Sequence, residues 1–212
     1  LRRLLCHHSG LAGEAPGDYW ETLKFPTVQQ LLAALPGVEI VIEQDSAFKY
    51  SNLAFVLLGE VVARVSGRPY AEYVHANILE PLGMTSSVFE LNDALRLRMA
   101  TGYQIRPYED SPSAAPHPPS SGKAAAGGLY SCVTYLARWV ALQIRTDAPR
   151  RGGAQALAGR SLREMQRPQF VEPGWNAGHC LPWRGQRIGK DIYLGHGGGL
   201  LRFADRSQRQ LR

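Results

Sequence analysis

The longest apolar pattern in the chain starts at Leu53 and continues through Val56, Leu57, Leu58, Val61, Val62 and Val65. These spacings predict a helix over 52–66 that is buried nearly all round, ended by Gly67. Pro69 restarts the chain, and Tyr70, Tyr73, Val74 and Ile78 form a second apolar face that Pro81 closes. Upstream, Leu1 to Leu5 reads as the tail of a helix ending near Ser9-Gly10, with Gly13 and Gly17 in the loop after it. Pro26-Thr27 opens another helix, with Val28, Leu31, Leu32 and Leu35 on one face and Pro36-Gly37 as its stop. A short strand is predicted at 38–42. Downstream, Leu136, Trp139, Val140 and Gln143 predict a helix after a Ser131 or Thr134 cap. His179 to Trp183 and Asp191 to His196 are predicted as two strands joined by a hairpin connection over 184–190. Five prolines between Arg106 and Gly122 mark a loop, and 150–159 is a Gly/Ala-rich connection. Helices first and an antiparallel hairpin last predict an α+β fold. Residues 202–212 are polar and basic without strand alternation, so the domain is placed at 1–201 and the remainder is expected to be a disordered or non-native tail.

A chain of 212 residues with 44% hydrophobic content has the size and composition of about one globular domain. The net charge of +6 raises the question of nucleic-acid binding. The arginines are mostly scattered, however, with clusters at Arg150-Arg151 and in the last eleven residues. No aromatic ladder or zinc-finger spacing accompanies them, so the charge reads as a solvated basic surface and no nucleic-acid partner is expected. No charged-then-apolar leader and no apolar run of about 18 residues is present, so no membrane segment is read and compartment is left open. Cys6, Cys132 and Cys180 are three and far apart, which argues against a disulfide framework or a structural zinc site. They are expected to be small buried residues. The side chains of the adjacent pairs His7-His8 and His179-Cys180 diverge in regular structure, and neither a metal nor a cofactor is expected.

Candidate chemistry enters just before the longest helix. Tyr50 and Asn52 are two residues apart, so on a short extended piece both side chains point the same way. A phenol and a carboxamide on one face offer a proton shuttle beside a donor–acceptor pair. The plain alternative is a turn in which Ser51 or Asn52 caps the helix. Around this pair the chain reads Tyr50-Ser51-Asn52, Gly59-Glu60-Val61, Ser66-Gly67-Arg68-Pro69-Tyr70 and Glu80-Pro81-Leu82-Gly83-Met84. Before it stands Leu4-Leu5-Cys6-His7-His8-Ser9-Gly10-Leu11, and after it Ala126-Gly127-Gly128-Leu129-Tyr130-Ser131 and Gly195-His196-Gly197-Gly198-Gly199. In this order the pieces resemble the serine β-lactamase/penicillin-binding-protein superfamily, in its class C, DD-peptidase and esterase branch. The resemblance covers about residues 1 to 201. Asp45-Ser46 stands where the family usually has Pro-Gly before its Tyr-x-Asn turn.

The resemblance implies a β-lactamase/transpeptidase-like fold, incomplete at both ends, and an acyl-enzyme hydrolase of β-lactams, D-Ala-D-Ala peptides or esters. Its partner would be a small-molecule or peptide substrate. Carried over residue by residue, Tyr50 is the proton shuttle, Asn52 binds the substrate amide or the catalytic lysine, and His196 fills the Lys/His position of the third element. Gly197, Gly198 and Gly199 form the substrate-facing strand, with the Gly199 N–H as half of the oxyanion hole. The family's Ser-x-x-Lys nucleophile is expected upstream of His7, before Leu1, so the chain by itself is expected to be inactive. Ser46-Ala47-Phe48-Lys49 and Ser120-Ser121-Gly122-Lys123 match that short motif, but neither is read as the nucleophile. The rival reading is a non-catalytic binding module of the same fold. A lipase-type oxyanion loop at His196-Gly197-Gly198-Gly199 lacks the Gly-x-Ser-x-Gly it requires.

Overall fold

The computed structural model describes residues 1–105, 108, 110–119, 121–144 and 156–199 in full, and residues 200 and 203–211 by their backbone. Its first elements are α1 (Arg2–Leu5), α2 (Tyr19–Thr22) and α3 (Val28–Ala33), followed by a 3₁₀ turn at Leu35–Gly37. At α3 the Thr27 hydroxyl accepts from the Gln30 N–H while the Gln30 side chain accepts from the Thr27 N–H, a reciprocal cap. The 3₁₀ turn through Pro36 and Gly37 then ends the helical run at the predicted stop. The strand expected at 38–42 reduces to a single antiparallel bridge, Leu11 to Ile40. Gly10 and Ala12 take the backbone bonds on either side of it. Gly10 sits at φ +77, where a Cβ would lie 2.1 Å from the Ile42 carbonyl oxygen, so only glycine lets these segments touch.

Helix α4 (Asn52–Ser66) carries the core and ends at Gly67 in the left-handed conformation, as the pattern predicts. It is less enclosed than expected. Leu53, Ala54, Val56 and Gly59 are buried, whereas Val65 is 84% exposed, because the last turn runs out past the core that covers the first two. Its inner side packs with Ala15 and Leu31. At Gly59 a Cβ would come within 2.5 Å of the Ala125 methyl, so the helix and the 3₁₀ turn Ser121–Ala126 meet almost backbone to backbone. Helix α5 (Tyr70–Val74) passes into a π turn at His75–Leu79, and α6 (Asp93–Arg96), β1 (Tyr103–Gln104) and β2 (Ser113–Ala114) follow. Leu79, Met84 and Phe89 make a second core against Tyr70, Tyr135 and Trp139. Helix α7 (Val133–Ile144) starts two residues after Ser131 and one before Thr134; the Cys132 carbonyl accepts from the Leu136 N–H at 3.0 Å, and the Ser131 hydroxyl pairs with that of Ser87. Ser120 and most of the 150–159 connection lie outside the described residues.

After α8 (Gly159–Gln166) the chain forms a five-stranded antiparallel meander of β3 (Phe170–Val171), β4 (Ala177–His179), β5 (Arg184–Ile188), β6 (Asp191–Leu200) and β7 (Phe203–Leu211). The sheet differs from the sequence expectation at three places. The stretch predicted as a hairpin connection is itself strand β5, paired with β6 from Arg184↔Gly195 to Ile188↔Asp191. The true turn is Gly189-Lys190, with Gly189 at φ +63. Residues 180–183 are a turn closed by the Cys180 N–H on the Trp183 carbonyl at 2.7 Å, not a strand. The expected tail is also different, since Phe203–Leu211 pairs with β6 from Leu200↔Phe203 to Ile192↔Leu211. A ladder is made by backbone groups, so a polar sequence without alternation does not prevent an edge strand from forming. Among the described residues, no helix is long and apolar enough to cross a membrane.

The start of α4 is tied to the segment before it by Ser51, whose side chain is fully buried. Its Oγ accepts from the Ala54 N–H at 3.0 Å and donates to the Ala12 carbonyl at 2.7 Å. Ser51→Ala removes the cap and leaves both partners unpaired, so denaturant unfolding is expected to show a loss of about 2 kcal/mol.

Candidate active site

The site is built where α4 begins. Ser51 caps the helix, which frees Asn52, its first residue, for other contacts. The Asn52 and Leu53 N–H groups both donate to the Gly13 carbonyl, at 2.9 and 3.2 Å, and the Ser51 N–H donates to His7 Nδ1 at 3.1 Å. Segments 7–14 and 50–53 are thus laced together, and Tyr50 is held over the His7 ring with centroids 4.3 Å apart. His7 itself has φ +59. It stands in the Leu4–Leu11 motif, where the resemblance assigns it no role. Its burial, reinforced by His196, His179 and His8, holds the imidazole down at about 4. The ring is therefore neutral at pH 7, with Nδ1 accepting and Nε2 carrying the hydrogen.

The next residue faces the sheet. The His8 ring stacks on Phe170 with centroids 3.6 Å apart, and its Nε2 lies 3.1 Å from His179 Nδ1 on β4. His179 Nε2 is 3.5 Å from Glu172, and Phe48 stacks on the other side of His179 at 4.1 Å. Adjacent histidines do diverge, as expected, and each completes a different wall. Between the walls lies a cleft of about 330 Å³ whose described lining includes Phe48, Tyr50, Trp183, Tyr193, His196 and Gly197. Arg184 and Gln186 stand on its sheet side, and no carboxylate, serine or lysine is among its described lining residues. Cys6 and Cys180 also line it; both are buried, and burial raises both thiols, Cys180 to about 12. Cys132, expected to be buried, is exposed. No group of three or more His, Cys, Asp or Glu among the described residues is placed to hold a metal.

The structure brings together part of the expected site. The Tyr50 and His196 rings lie 6.3 Å apart, and Gly197 lines the same cleft. The β5 ladder stops at Gly195 while the β7 ladder continues to Leu200. Among the described residues, Gly197 to Leu200 therefore pairs with β7 alone, and because adjacent residues of a strand present their N–H and C=O groups to opposite sides, one of Gly198 and Gly199 faces away from β7. Asn52 stands apart from the cleft lining. Its Nδ2 donates to Glu14 Oε1 at 2.7 Å, and Lys123 Nζ and Trp20 Nε1 donate to the same oxygen at 2.9 and 3.2 Å. Sequence reasoning missed Glu14, because its partners are 38 and 109 residues away and no spacing signals them. Burial, and secondarily the Glu14 charge, raises the Tyr50 phenol above its usual range, so it is a protonated donor at neutral pH. Of the two Ser-x-x-Lys matches, Ser46 donates to the Glu43 carbonyl at 2.6 Å within its own turn. Lys123 of the other is committed to Glu14 and to the faces of Trp20 and Phe25, at 4.1 and 4.5 Å.

A helical region joined to an antiparallel sheet, with a Tyr-x-Asn turn facing a His-Gly-Gly strand across a cleft, is the layout of the β-lactamase/transpeptidase fold. The chain belongs to the Beta-lactamase family, whose sequence model matches residues 1–206. It is 29% identical over 175 residues to D-alanyl-D-alanine-carboxypeptidase/endopeptidase AmpH of Escherichia coli K12, covering 81% of this chain and 43% of that protein. It spans, then, less than half of that relative. The structure resembles the octameric penicillin-binding protein homologue from Pyrococcus abyssi, with a TM-score of 0.79 and 25% identity over 96% of this chain and 47% of that one. It also resembles D-amino acid amidase from Ochrobactrum anthropi SV3, with a TM-score of 0.66 and 25% identity over 92% of this chain and 55% of that one.

The electrostatics of the clasp give a pH expectation. A histidine whose folded pKa of about 4 lies below the 6.5 of the unfolded chain binds fewer protons when folded throughout that interval. Stability is therefore full above pH 6.5 and is lost as pH falls toward 4, by up to about 3 kcal/mol for His7. His8 and His179 are lowered in the same direction. Unfolding free energies measured across this window should fall on acidification, and His7→Asn, which keeps an acceptor for Ser51, should reduce the slope.

Proposed function

We propose that the parent protein of this chain is a serine hydrolase that cleaves an amide or ester through an acyl-enzyme, on D-Ala-D-Ala peptides, β-lactams or small esters. The observation that carries this is Tyr50 and His196 facing one another across an aromatic cleft, beside a glycine run that, among the described residues, pairs with β7 alone. A substrate acyl group would lie along that edge, with the Gly199 N–H as one oxyanion donor. Removing side chains from positions 197–199 lets a peptide-like backbone approach to hydrogen-bonding distance. Tyr50, protonated in the resting cleft, would be drawn toward ionisation by a catalytic ammonium, its proton going to solvent; as a phenolate it would take the proton of the nucleophilic serine and pass that proton to the leaving group. The nucleophile belongs to a Ser-x-x-Lys element outside residues 1–212; Ser46 of one match within the chain and Lys123 of the other are committed to other contacts. On this reading the 212-residue chain alone does not form an acyl-enzyme. The carboxypeptidase and amidase names of the relatives support peptide-like amides as the substrate class.

Intact-mass analysis after incubation with a fluorophosphonate, and separately with a penicillin, tests this. The full-length parent should gain one adduct on a serine outside residues 1–212, and Tyr50→Phe in that protein should slow adduct formation by roughly a hundredfold. Labelling of the present chain at Ser46 or Ser120 would overturn the assignment of the nucleophile. A folded parent that stays unlabelled by both reagents would favour a binding module.

A further inference from the structure

Asn52 is held in one orientation by a group that no motif of the chain contains. Glu14 Oε1 receives Asn52 Nδ2 at 2.7 Å, Lys123 Nζ at 2.9 Å and Trp20 Nε1 at 3.2 Å. An ionised carboxylate can only accept hydrogen bonds, so the end of the carboxamide that faces it must be the NH₂. The opposite orientation would set two oxygens against each other at that distance. The other end of Asn52, its Oδ1, is therefore fixed as an acceptor. The charge of Glu14 is itself balanced. The Lys123 ammonium is packed against the faces of Trp20 and Phe25, and its side chain is 12% exposed. Backbone contacts complete the frame, because the Gly13 carbonyl beside Glu14 accepts the N–H of Asn52. Ion pairs at the surface are worth little, but a half-buried carboxylate receiving three donors, one of them a cation, holds its partners in register.

We propose that Glu14 is a positioning residue for the acyl-transfer site, locking the Asn52 carboxamide so that Oδ1 is the end available to a substrate N–H or a catalytic ammonium. This rests on the hydrolase reading given above for the chemistry it would serve, while the locking itself is a property of the folded chain. Replacing Glu14 by Gln keeps the size but supplies a group that donates as well as accepts, so the carboxamide is free to turn over and the Lys123 charge loses its partner. Because Glu14 acts through Asn52, its effect disappears when Asn52 has no carboxamide.

The test uses the full-length parent with p-nitrophenyl acetate and a fluorophosphonate as probes. Glu14→Gln should lower kcat/KM and the labelling rate by about tenfold, mainly through kcat, and should add no further loss in an Asn52→Ala background. An equal loss in both backgrounds, or no loss with Asn52 intact, overturns the proposal. A readout independent of activity is the NMR signal pair of the Asn52 side-chain NH₂, assigned by its disappearance in Asn52→Ala. Wild type should show two well-separated, slowly exchanging protons that shift and exchange faster in Glu14→Gln; an unchanged pair overturns the lock. A wild-type parent with no esterase activity and no label would remove the hydrolase reading, and the amide signals would still decide whether Glu14 holds Asn52.

Discussion

Two consecutive imidazoles join the halves of this molecule. His7 turns toward the helical half, where its Nδ1 takes the N–H of the residue that caps α4. His8 turns toward the sheet, stacking on β3 and meeting His179 of β4. The left-handed backbone at His7 sends the two rings to different walls. Each contact also depends on a ring nitrogen that lacks a proton, which is why burial and mutual repulsion that keep the rings neutral are part of the architecture. The distance between Tyr50 on one wall and His196 on the other follows from this junction.

Most of the secondary structure was legible where side chains settle it. The α4 pattern, its Gly67 stop and the Thr27 cap are local, and the chain forms them where the sequence places them. The sheet was less legible. β5 reads as a turn because Gly185 and Gly189 enclose the polar pair Gln186-Arg187, yet its pairing is supplied by β6. β7 has no alternation to read at all, and its position depends on backbone bonds to its neighbour. Tyr50 and His196 could be named from motifs because their order along the chain carries the signal. Glu14, Lys123, His8 and Phe48 could not, since their partners are brought to them only by the tertiary fold.

The same contrast explains how Tyr50 is anchored although the segments packed before it are irregular and only α4 follows it. The 7–14 segment is irregular, but its carbonyls at Ala12 and Gly13 are spent on the Ser51 hydroxyl and the first amides of α4. Backbone groups that a loop would ordinarily leave to water are instead consumed by a helix start, which has unpaired donors to offer. The helix thereby orients the loop as much as the loop caps the helix.

Two of the residues walling the cleft are cysteines, and both are buried with their thiols raised, Cys180 to about 12. A thiol in that state is a poor nucleophile, because thiolate is the reactive form. Sulfur thus serves this cleft only as apolar volume. An activated acyl group held there would meet no thioester trap on the wall, and chemoselectivity for oxygen would be written into the lining before any nucleophile arrives.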